Sequence, residues 1–241
     1  ACACSVRPAC SFREDVAMTV QIQPVPVRID FVSDVSCPWC VIGLAALEQA
    51  LHNLEGEVAA EIHLQPFELN PQMAKEGEDS TAHLVRKYGS SAAQIDANRE
   101  AIRARGAALG FTFNMDRRSR VYNTFDAHRL LHWAELEDRH IALKHSLFRA
   151  YFTDGEDVSA HDALVRLAAE VGLDAGRARQ ILASNAYADE VRAQEQFFIA
   201  RGIQSVPATI INGQHLISGG QPAEAFEQEL RRIIAPDVAA T

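Results

Sequence analysis

The sequence has few features that would fix it in a membrane or cross-link it covalently. No apolar run reaches the roughly 18 residues that a membrane span requires. The 241 residues include only five cysteines, an odd number. A chain of this length buries enough surface to fold without a disulfide framework. We therefore expect no membrane partner and no structural network of disulfides.

Positive charge is also scarce. The chain has 23 Lys and Arg against 32 Asp and Glu, a formal net charge of −9, which argues against a general nucleic-acid binder. Hydrophobic residues make up 48%, as in a globular protein of one large domain or a domain with an insertion. The N-terminus lacks a charged segment followed by an apolar one, so we expect no secretory signal and a cytoplasmic protein with reduced thiols.

The first part of the chain has a strand–helix–strand pattern. Apolar residues alternate through residues 25–34 and again before Pro66, which predicts two strands. Between them, apolar residues from Val41 to Leu54 have helical spacing. Two strands joined by one helix predict a parallel pair with a right-handed crossover.

The middle and the end of the chain differ in the spacing of their apolar residues. Residues 72–197 are a succession of helical patterns, several with a Ser, Asp or Asn cap and a closing glycine. The stretch "VPATIINGQHLIS" then predicts a hairpin that turns at Asn212 and Gly213. A final helix carries Pro222 in its first turn.

Two cysteines, Cys37 and Cys40, lie where the first strand passes into the first helix, in "SCPWC". The pair has three readings: core residues, half of a zinc site, or a redox dithiol. Structural zinc needs four ligands, and the chain has no second C-x-x-C. His128 and His132 share a helix face at i, i+4 but lack an H-E-x-x-H motif. We therefore predict no metal site and favour the dithiol.

The position of Cys37 gives the dithiol a physical basis. Unpaired N–H groups and the helix dipole stabilise an anion at a helix start, and the thiolate is the form that attacks a disulfide. Cys40, one turn on, faces the same side and should be deeper and harder to ionise. Pro38 starts the helix without wasting a donor, and Trp39 offers an apolar surface to a peptide or a thiol ligand.

Val206 and Pro207 precede the hairpin. Proline is tolerated at the start of a strand, so the residues by themselves predict an ordinary trans bond. An X–Pro bond can also be cis.

Together these stretches resemble a known family. The segments "DFVSDVSCPWC", "LQPFELNP", "NTFDAHRLLHWA", "SVPATIING" and "ISGGQPAEAFEQEL" resemble the DsbA-like dithiol oxidoreductases of the thioredoxin superfamily, in their FrnE branch. The resemblance covers about residues 27–236. It implies an α/β, thioredoxin-like fold with an inserted all-helical domain. The expected division is a tail at 1–24, a discontinuous thioredoxin-like domain at 25–71 and 198–236, and the insert at 72–197.

The resemblance also implies roles for individual residues. Pro207 should be cis and lie opposite the dithiol, with Cys37, Cys40 and Pro207 catalytic. Substrate contacts are implied for a wider set: Pro38, Trp39, Val206, Asn123, His128 and Gln221. From the residues alone, Asn123 fits a helix cap better than a cleft residue, and His128 fits an ordinary helix residue as well as a cleft residue. Ser205 and Gly220 depart from the family pattern, where glycine and alanine are common.

We thus expect a thiol–disulfide oxidoreductase or isomerase that acts on disulfide-containing proteins or low-molecular-weight thiols. No bound cofactor is expected, with glutathione as a candidate reductant or co-substrate. The alternative is a glutathione-dependent transferase or isomerase of a small organic substrate, because 2-hydroxychromene-2-carboxylate isomerases and kappa-class glutathione transferases resemble the chain too. Those relatives typically have serine in place of Cys37. A non-enzymatic chaperone or metal-binding module is a third reading. We expect the tail, with Cys2, Cys4 and Cys10, to be disordered or an added segment.

Overall fold

A computed structural model describes Cys2 and residues 23–235. Cys2 is exposed and not in a disulfide. The predictions for Cys4, Cys10 and the rest of residues 3–22 lie outside the described residues.

Strands and helices follow the predicted order. The strands are β1 (Val25–Ser33), β2 (Val58–Pro66), β3 (Glu78–Asp79), β4 (Arg120–Val121), β5 (Ala208–Ile211) and β6 (His215–Ser218). The helices are α1 (Pro38–Asn53), α2 (Ser80–Tyr88), α3 (Ala92–Ala108), α4 (Phe125–Leu136), α5 (His140–Arg149), α6 (His161–Glu170), α7 (Ala175–Leu182), α8 (Ala188–Ala200) and α9 (Ala223–Ile234). A π-helical turn, Ala150–Asp154, continues α5.

The main sheet has the order β2–β1–β5–β6. β1 and β2 are parallel, with Ile29 opposite Ile62, which confirms the predicted parallel pair. β5 runs antiparallel to both β1 and β6, and Asn212 and Gly213 have positive φ angles of 51° and 70° at the hairpin. The hairpin forms here because both residues tolerate that conformation.

Helices α2 to α8 lie between β2 and β5 in the chain, as predicted for the inserted block. Side-chain caps begin several of them: Asp79 for α2, Ser91 for α3 and Asp174 for α7. The block also contains the two-residue ladder of β3 and β4, which the sequence did not predict because such short strands leave no periodic pattern. The domain boundaries themselves stay a prediction.

The two parts share one apolar core. The buried cluster runs from Phe31 and Leu44, in β1 and α1, to Leu130, Leu147 and Phe152 in the helical block. α9 packs on α1 through Phe226 and Leu230, both fully buried. Pro222 is the N-cap residue of α9 rather than part of its first turn, and at that position the missing N–H of proline costs the helix no hydrogen bond. The packing holds α9 against α1.

Candidate active site

Cys37 is the N-cap residue of α1. Its backbone is extended and its side chain makes no capping hydrogen bond, so the sulfur is free to point away from the helix axis. Pro38 is the first helical residue, and the Cys40 amide donates to the Cys37 carbonyl at 3.1 Å. The sulfur therefore sits where the free N–H groups of the first turn stabilise negative charge.

The loop before β5 faces Cys37. The Val206–Pro207 peptide bond is cis, and Cys37 Sγ lies 3.6 Å from the Val206 carbonyl oxygen. Pro207 packs closely on α1, because a Cβ added to Gly43 would lie 3.0 Å from Pro207 Cγ. Cys37 thus lies beside Val206 and Pro207, which come about 170 positions later in the chain.

Cys40 lies one turn further into α1 and is fully buried. Both thiols are free. Burial raises the pKa of Cys40 well above its usual value, and a hydrogen bond with the Cys37 sulfur raises it further. Both residues are buried, with Cys37 4% exposed and Cys40 fully enclosed. The two sulfurs still differ, because Cys37 is at a helix start and Cys40 lies one turn deeper, where its pKa is raised.

A buried carboxylate, Asp34, supports the turn that carries the dithiol. It accepts hydrogen bonds from the Leu69 amide at 2.7 Å and from the Ser36 hydroxyl at 3.0 Å. Burial raises the pKa of Asp34, but His128, the Leu69 amide and Thr124 outweigh burial and lower it to about 2. Asp34 is therefore an interior anion directly under the active-site turn.

His128 lies behind the dithiol and not on an open cleft wall. It is 3% exposed, and its Nε2 is 3.5 Å from Asp34 Oδ1. That separation is long for a hydrogen bond, and Nε2 has no closer partner among the described residues.

Lys144, on α5, is a buried basic residue near the dithiol. Only 1% of its surface is exposed. Burial lowers the pKa of Lys144 to about 8, although the negative charges of Cys40, Asp34 and Cys37 oppose that shift. The helical block thus contributes both His128 and Lys144 to the interior side of the site.

Trp39 is half-buried beside the dithiol. The guanidinium carbon of Arg105, on α3, is 5.6 Å from the centre of its ring. Arg105 Nη2 also donates to the Gly220 carbonyl oxygen at 2.7 Å. A Cβ on Gly220 would lie 2.9 Å from the Trp39 carbonyl oxygen, so only glycine lets this loop approach α1 so closely.

The remaining predicted substrate residues use their side chains locally. Asn123 Oδ1 accepts from the Phe125 amide at 2.9 Å, but the N-cap residue of α4 is Thr124, so Asn123 binds the first helical amide from one position before the predicted cap. Gln221 is exposed, and its amide donates to the Ser218 carbonyl at 2.8 Å. Pro38 and Ser36 line a small cavity that extends toward His83 and Arg118. Substrate contacts for Asn123, His128 and Gln221 stay predictions.

Asp34, Lys144 and Arg105 were not predicted from the sequence. Asp34 could have been predicted as a site residue, because it is an acidic residue at the end of a strand and three positions before the first thiol. Lys144 and Arg105 could not have been predicted, since each is one basic residue among several in an amphipathic helix. Only the packing of the helical block on α1 brings them to the site.

Within residues 23–235, no group of three or more His, Cys, Asp or Glu side chains is arranged to hold a metal ion. No helix in that range combines the length and the apolar character needed to cross a bilayer.

The arrangement suits thiol–disulfide exchange. A sulfur at a helix N-terminus can attack a disulfide, and a second sulfur one turn away can displace the product. The backbone at Val206 lies beside the attacking sulfur, where an extended peptide could pair with it.

Comparison with known proteins supports this interpretation. The family described as "DSBA-like thioredoxin domain" matches residues 28–231. A solved structure of a probable DsbA oxidoreductase from Streptomyces coelicolor is 37% identical, covers 89% of this chain and 93% of its own, and superposes with a TM-score of 0.82.

Two more distant structures share the fold. A 2-hydroxychromene-2-carboxylate isomerase is 16% identical, with a TM-score of 0.64 over 86% of this chain and 95% of its own. The cytosolic disulfide reductase DsbM from Pseudomonas aeruginosa, solved with GSH, is 16% identical, with a TM-score of 0.61 over 87% of this chain and 100% of its own. At this identity both show the fold alone, and they confirm the thioredoxin-like architecture with a helical insert.

Proposed function

Because the chain belongs to the family of DSBA-like thioredoxin domains, we propose that it reduces or rearranges disulfides through the dithiol Cys37-Pro38-Trp39-Cys40. The single observation that carries the proposal is the position of Cys37 Sγ. It lies at the start of α1 and 3.6 Å from the Val206 carbonyl oxygen, with Cys40 buried one turn behind it.

In the first step the Cys37 thiolate attacks one sulfur of a substrate disulfide. A bond forms between Cys37 and that sulfur, and the other substrate sulfur leaves as a thiolate and takes a proton from solvent. The helix start stabilises the attacking anion. Val206 and Pro207 orient the substrate backbone, and Trp39 contacts its apolar side chains.

In the second step Cys40 attacks Cys37 in the mixed disulfide. The Cys37–Cys40 bond forms, the bond to the substrate breaks, and the second substrate sulfur leaves reduced. The protein is now oxidised and needs an external thiol to return to the dithiol state. Glutathione is the reductant we propose, in keeping with the expected cytoplasmic location, and isomerisation follows when the substrate's own thiol completes the exchange.

The substrates we propose are disulfide-containing proteins and low-molecular-weight disulfides. Pro38 and Trp39 border the attacking sulfur from α1, and Val206 borders it from the opposite loop. Asn123 and Gln221 would contact a substrate through amide atoms not used locally. His128, being buried, would act on the substrate only through Asp34 and the dithiol.

Insulin reduction with glutathione as the electron donor tests the proposal. The parent for all variants carries serine at Cys2, Cys4 and Cys10, so that only the active-site thiols react. We expect Cys37→Ser to abolish turnover, and Cys40→Ser to accumulate a mixed disulfide with glutathione that mass spectrometry detects. Turnover by Cys37→Ser equal to that of the parent would refute the proposed chemistry.

The same variants test the glutathione-dependent transferase or isomerase. That reaction does not need a second thiol. Consumption of glutathione with an organic substrate that survives Cys40→Ser, together with no insulin reduction by the parent, would support it instead.

A further inference from the structure

Arg118, in the helical block, is a partly buried arginine without a carboxylate partner. No ion pair found among residues 23–235 involves its guanidinium group, and its Nε is a buried atom without a hydrogen-bond partner in that range. The guanidinium carbon lies 5.0 Å from the centre of the Tyr151 ring and 5.2 Å from that of Phe152. The cation therefore rests on aromatic rings, and its donors are left for another group.

The position of Arg118 is fixed by its surroundings. Its amide donates to the Asn114 carbonyl and its own carbonyl accepts from the Ser80 hydroxyl, both at 3.3 Å. The rings of Tyr151 and Phe152 are 1% and 0% exposed, so they form a rigid surface under the guanidinium. A contact with aromatic rings compensates a cation for only part of its lost hydration. An anion that bound here would supply the rest.

Arg118 lines a cavity that borders the turn of the dithiol. Ser36 and Pro38 line the same cavity. They are the chain neighbours of Cys37, whose Cα therefore lies about 3.8 Å from the Cα of each. The volume of the cavity is about 90 Å³, which is room for about six water-sized groups. A carboxylate on a short carbon chain is of this size.

The walls of this cavity are partly apolar. Ile102, Met115 and Val121 line it, and each is at most 5% exposed. Arg99 and Arg118 line it as well. Apolar walls with a few polar groups are typical of small-molecule sites, where the polar groups fix the orientation of the ligand. Here they suit an aliphatic chain that ends in an anion.

The cavity continues into a larger one. The two share Leu69, Asn70 and His83 in their linings, and the volume of the larger is about 530 Å³. That volume lies within the usual range for small ligands. We call the two cavities together the basic cleft.

Positive charge exceeds negative charge in the basic cleft. Its lining has four cations, Arg86, Lys87, Arg99 and Arg118, and Glu78 is its single carboxylate among the described residues. Arg86 already pairs with Glu78 at 2.6 Å. The whole chain has a net charge of −9, so the cleft runs against the overall charge. A local excess of one sign raises the concentration of ligands of the other sign.

We propose that the basic cleft binds the carboxylate of a low-molecular-weight disulfide through Arg118 and thereby brings the sulfur of that disulfide to Cys37. This inference rests on the proposed dithiol function and names a substrate class for it, small disulfides that carry carboxylates. Arg118 suits this role because its planar guanidinium can bind both oxygens of a carboxylate at once. Arg118 is therefore a specificity-determining residue.

Three small disulfides of similar length and different charge test the proposal. Dithiodipropionate carries two carboxylates, hydroxyethyl disulfide is neutral, and cystamine carries two ammonium groups. Each reacts once with the reduced parent that lacks Cys2, Cys4 and Cys10. The probe is reduced to two molecules of its thiol, and Cys37 and Cys40 are oxidised to a disulfide. Acid quenching, alkylation of the remaining thiols and mass spectrometry give the rate.

For Arg118→Met we expect the reaction with dithiodipropionate to be about 10-fold slower than in the parent, because a charge-assisted contact is lost. The rate with hydroxyethyl disulfide should change less than about 2-fold, since that probe has no charge for Arg118 to bind. The rate with cystamine should be unchanged or higher, because a like charge is removed. The readout is the ratio of the dithiodipropionate rate to the hydroxyethyl disulfide rate, which a merely structural role would not move.

Controls separate specificity from general charge. Arg117→Met removes the same charge one position away, from an exposed side chain outside the lining of the basic cleft, and should leave the ratio unchanged. Arg118→Lys should keep part of the preference, because the charge remains and the planar fork is lost. Arg118→Gln is a second neutral variant in case methionine packs poorly on Tyr151 and Phe152.

The other outcomes count against the proposal in distinguishable ways. A ratio equal to the parent's in a folded neutral variant would overturn the role of Arg118 and leave the dithiol function intact. Unfolding of both neutral variants would show a structural arginine and overturn it as well. Failure of all three probes to oxidise the parent would instead count against the proposed function itself.

Discussion

Arg105 makes a cation–π contact with Trp39: the guanidinium carbon lies 5.6 Å from the centre of the indole ring. Trp39 belongs to the active-site turn and Arg105 to the helical block. Because Arg105 also donates to the Gly220 carbonyl, one side chain joins the block, the turn and the loop before α9. The helical block therefore sets the orientation of the apolar surface beside Cys37.

Arg105→Met should loosen Trp39 without altering the thiols. We expect a red-shifted emission and stronger acrylamide quenching of Trp39, because the ring loses a cation–π contact worth about 0.5–1 kcal/mol. The KM for a peptide disulfide should rise about 2- to 5-fold on the same grounds. Emission is best measured with Trp133→Phe, which leaves Trp39 as the only tryptophan.

Arg103→Met is the matched control for that change. Arg103 lies on the same helix and pairs with the exposed Glu100, away from the dithiol, so its loss should leave the emission and the KM unchanged. Equal effects from the two arginine variants would show that the cation–π contact between Arg105 and Trp39 has no specific role.

Gly220→Ala should push the loop before α9 away from α1. The added Cβ would lie 2.9 Å from the Trp39 carbonyl oxygen and 3.4 Å from Ile42 Cγ2, and both belong to packed elements. We expect a loss of about 1–3 kcal/mol in the free energy of unfolding, as for overpacking elsewhere, measured by urea titration. Gly176→Ala, at an exposed position in α7, should cost far less, and a comparable loss there would contradict this explanation.

The parts of the site that could be predicted from the sequence are local. The strand–helix junction, the two thiols at i and i+3, and the Asn212–Gly213 turn each depend on residues a few positions apart. The thioredoxin-like fold with its helical insert was likewise predictable through the resemblance, because its motifs recur in order along the chain.

The parts that could not be predicted depend on distant residues. Arg105 and Gly220 are 115 positions apart, and Asp34 and His128 are on different parts of the fold. In the sequence His128 is one of nine histidines, and helical spacing pairs it with His132 as readily as with anything else. The burial of Lys144 could not be predicted either, because apolar and polar residues alternate along its helix and would allow any of several faces to be the buried one.

Cys40 should react very slowly with alkylating reagents in the folded protein. In the Cys37→Ser variant of the parent without tail cysteines, iodoacetamide at pH 7 should alkylate Cys40 at least about 100-fold more slowly than in urea. Full burial blocks the reagent, and the raised pKa of Cys40 leaves little thiolate. Mass spectrometry measures both rates. Cys40→Ser, which retains Cys37, is the comparison, and equal labelling of the two variants would contradict the assigned asymmetry.

Asp34 should stabilise the folded protein by an amount that depends on pH in the acid range. Its pKa is lowered from an ordinary value of 3.8 to about 2 in the folded protein, so the folded state binds this proton less tightly than the unfolded state. The contribution is therefore fully present above about pH 4 and is lost as the pH falls through about 2. It is on the order of 2 kcal/mol.

Asp34→Asn removes that dependence. The amide keeps the shape, and its oxygen can still accept from the Leu69 amide and the Ser36 hydroxyl, which share Oδ2. Its NH2 group, however, replaces the Oδ1 that accepts from the Ser36 amide. We expect a loss of about 2 kcal/mol at pH 7 and a flatter pH dependence between pH 4 and pH 2, from urea unfolding at each pH. Asp96→Asn, with a side chain 76% exposed, should keep the parent's slope. A slope equally steep in Asp34→Asn would show that other carboxylates govern acid unfolding, and that the charge beneath the dithiol adds little to stability.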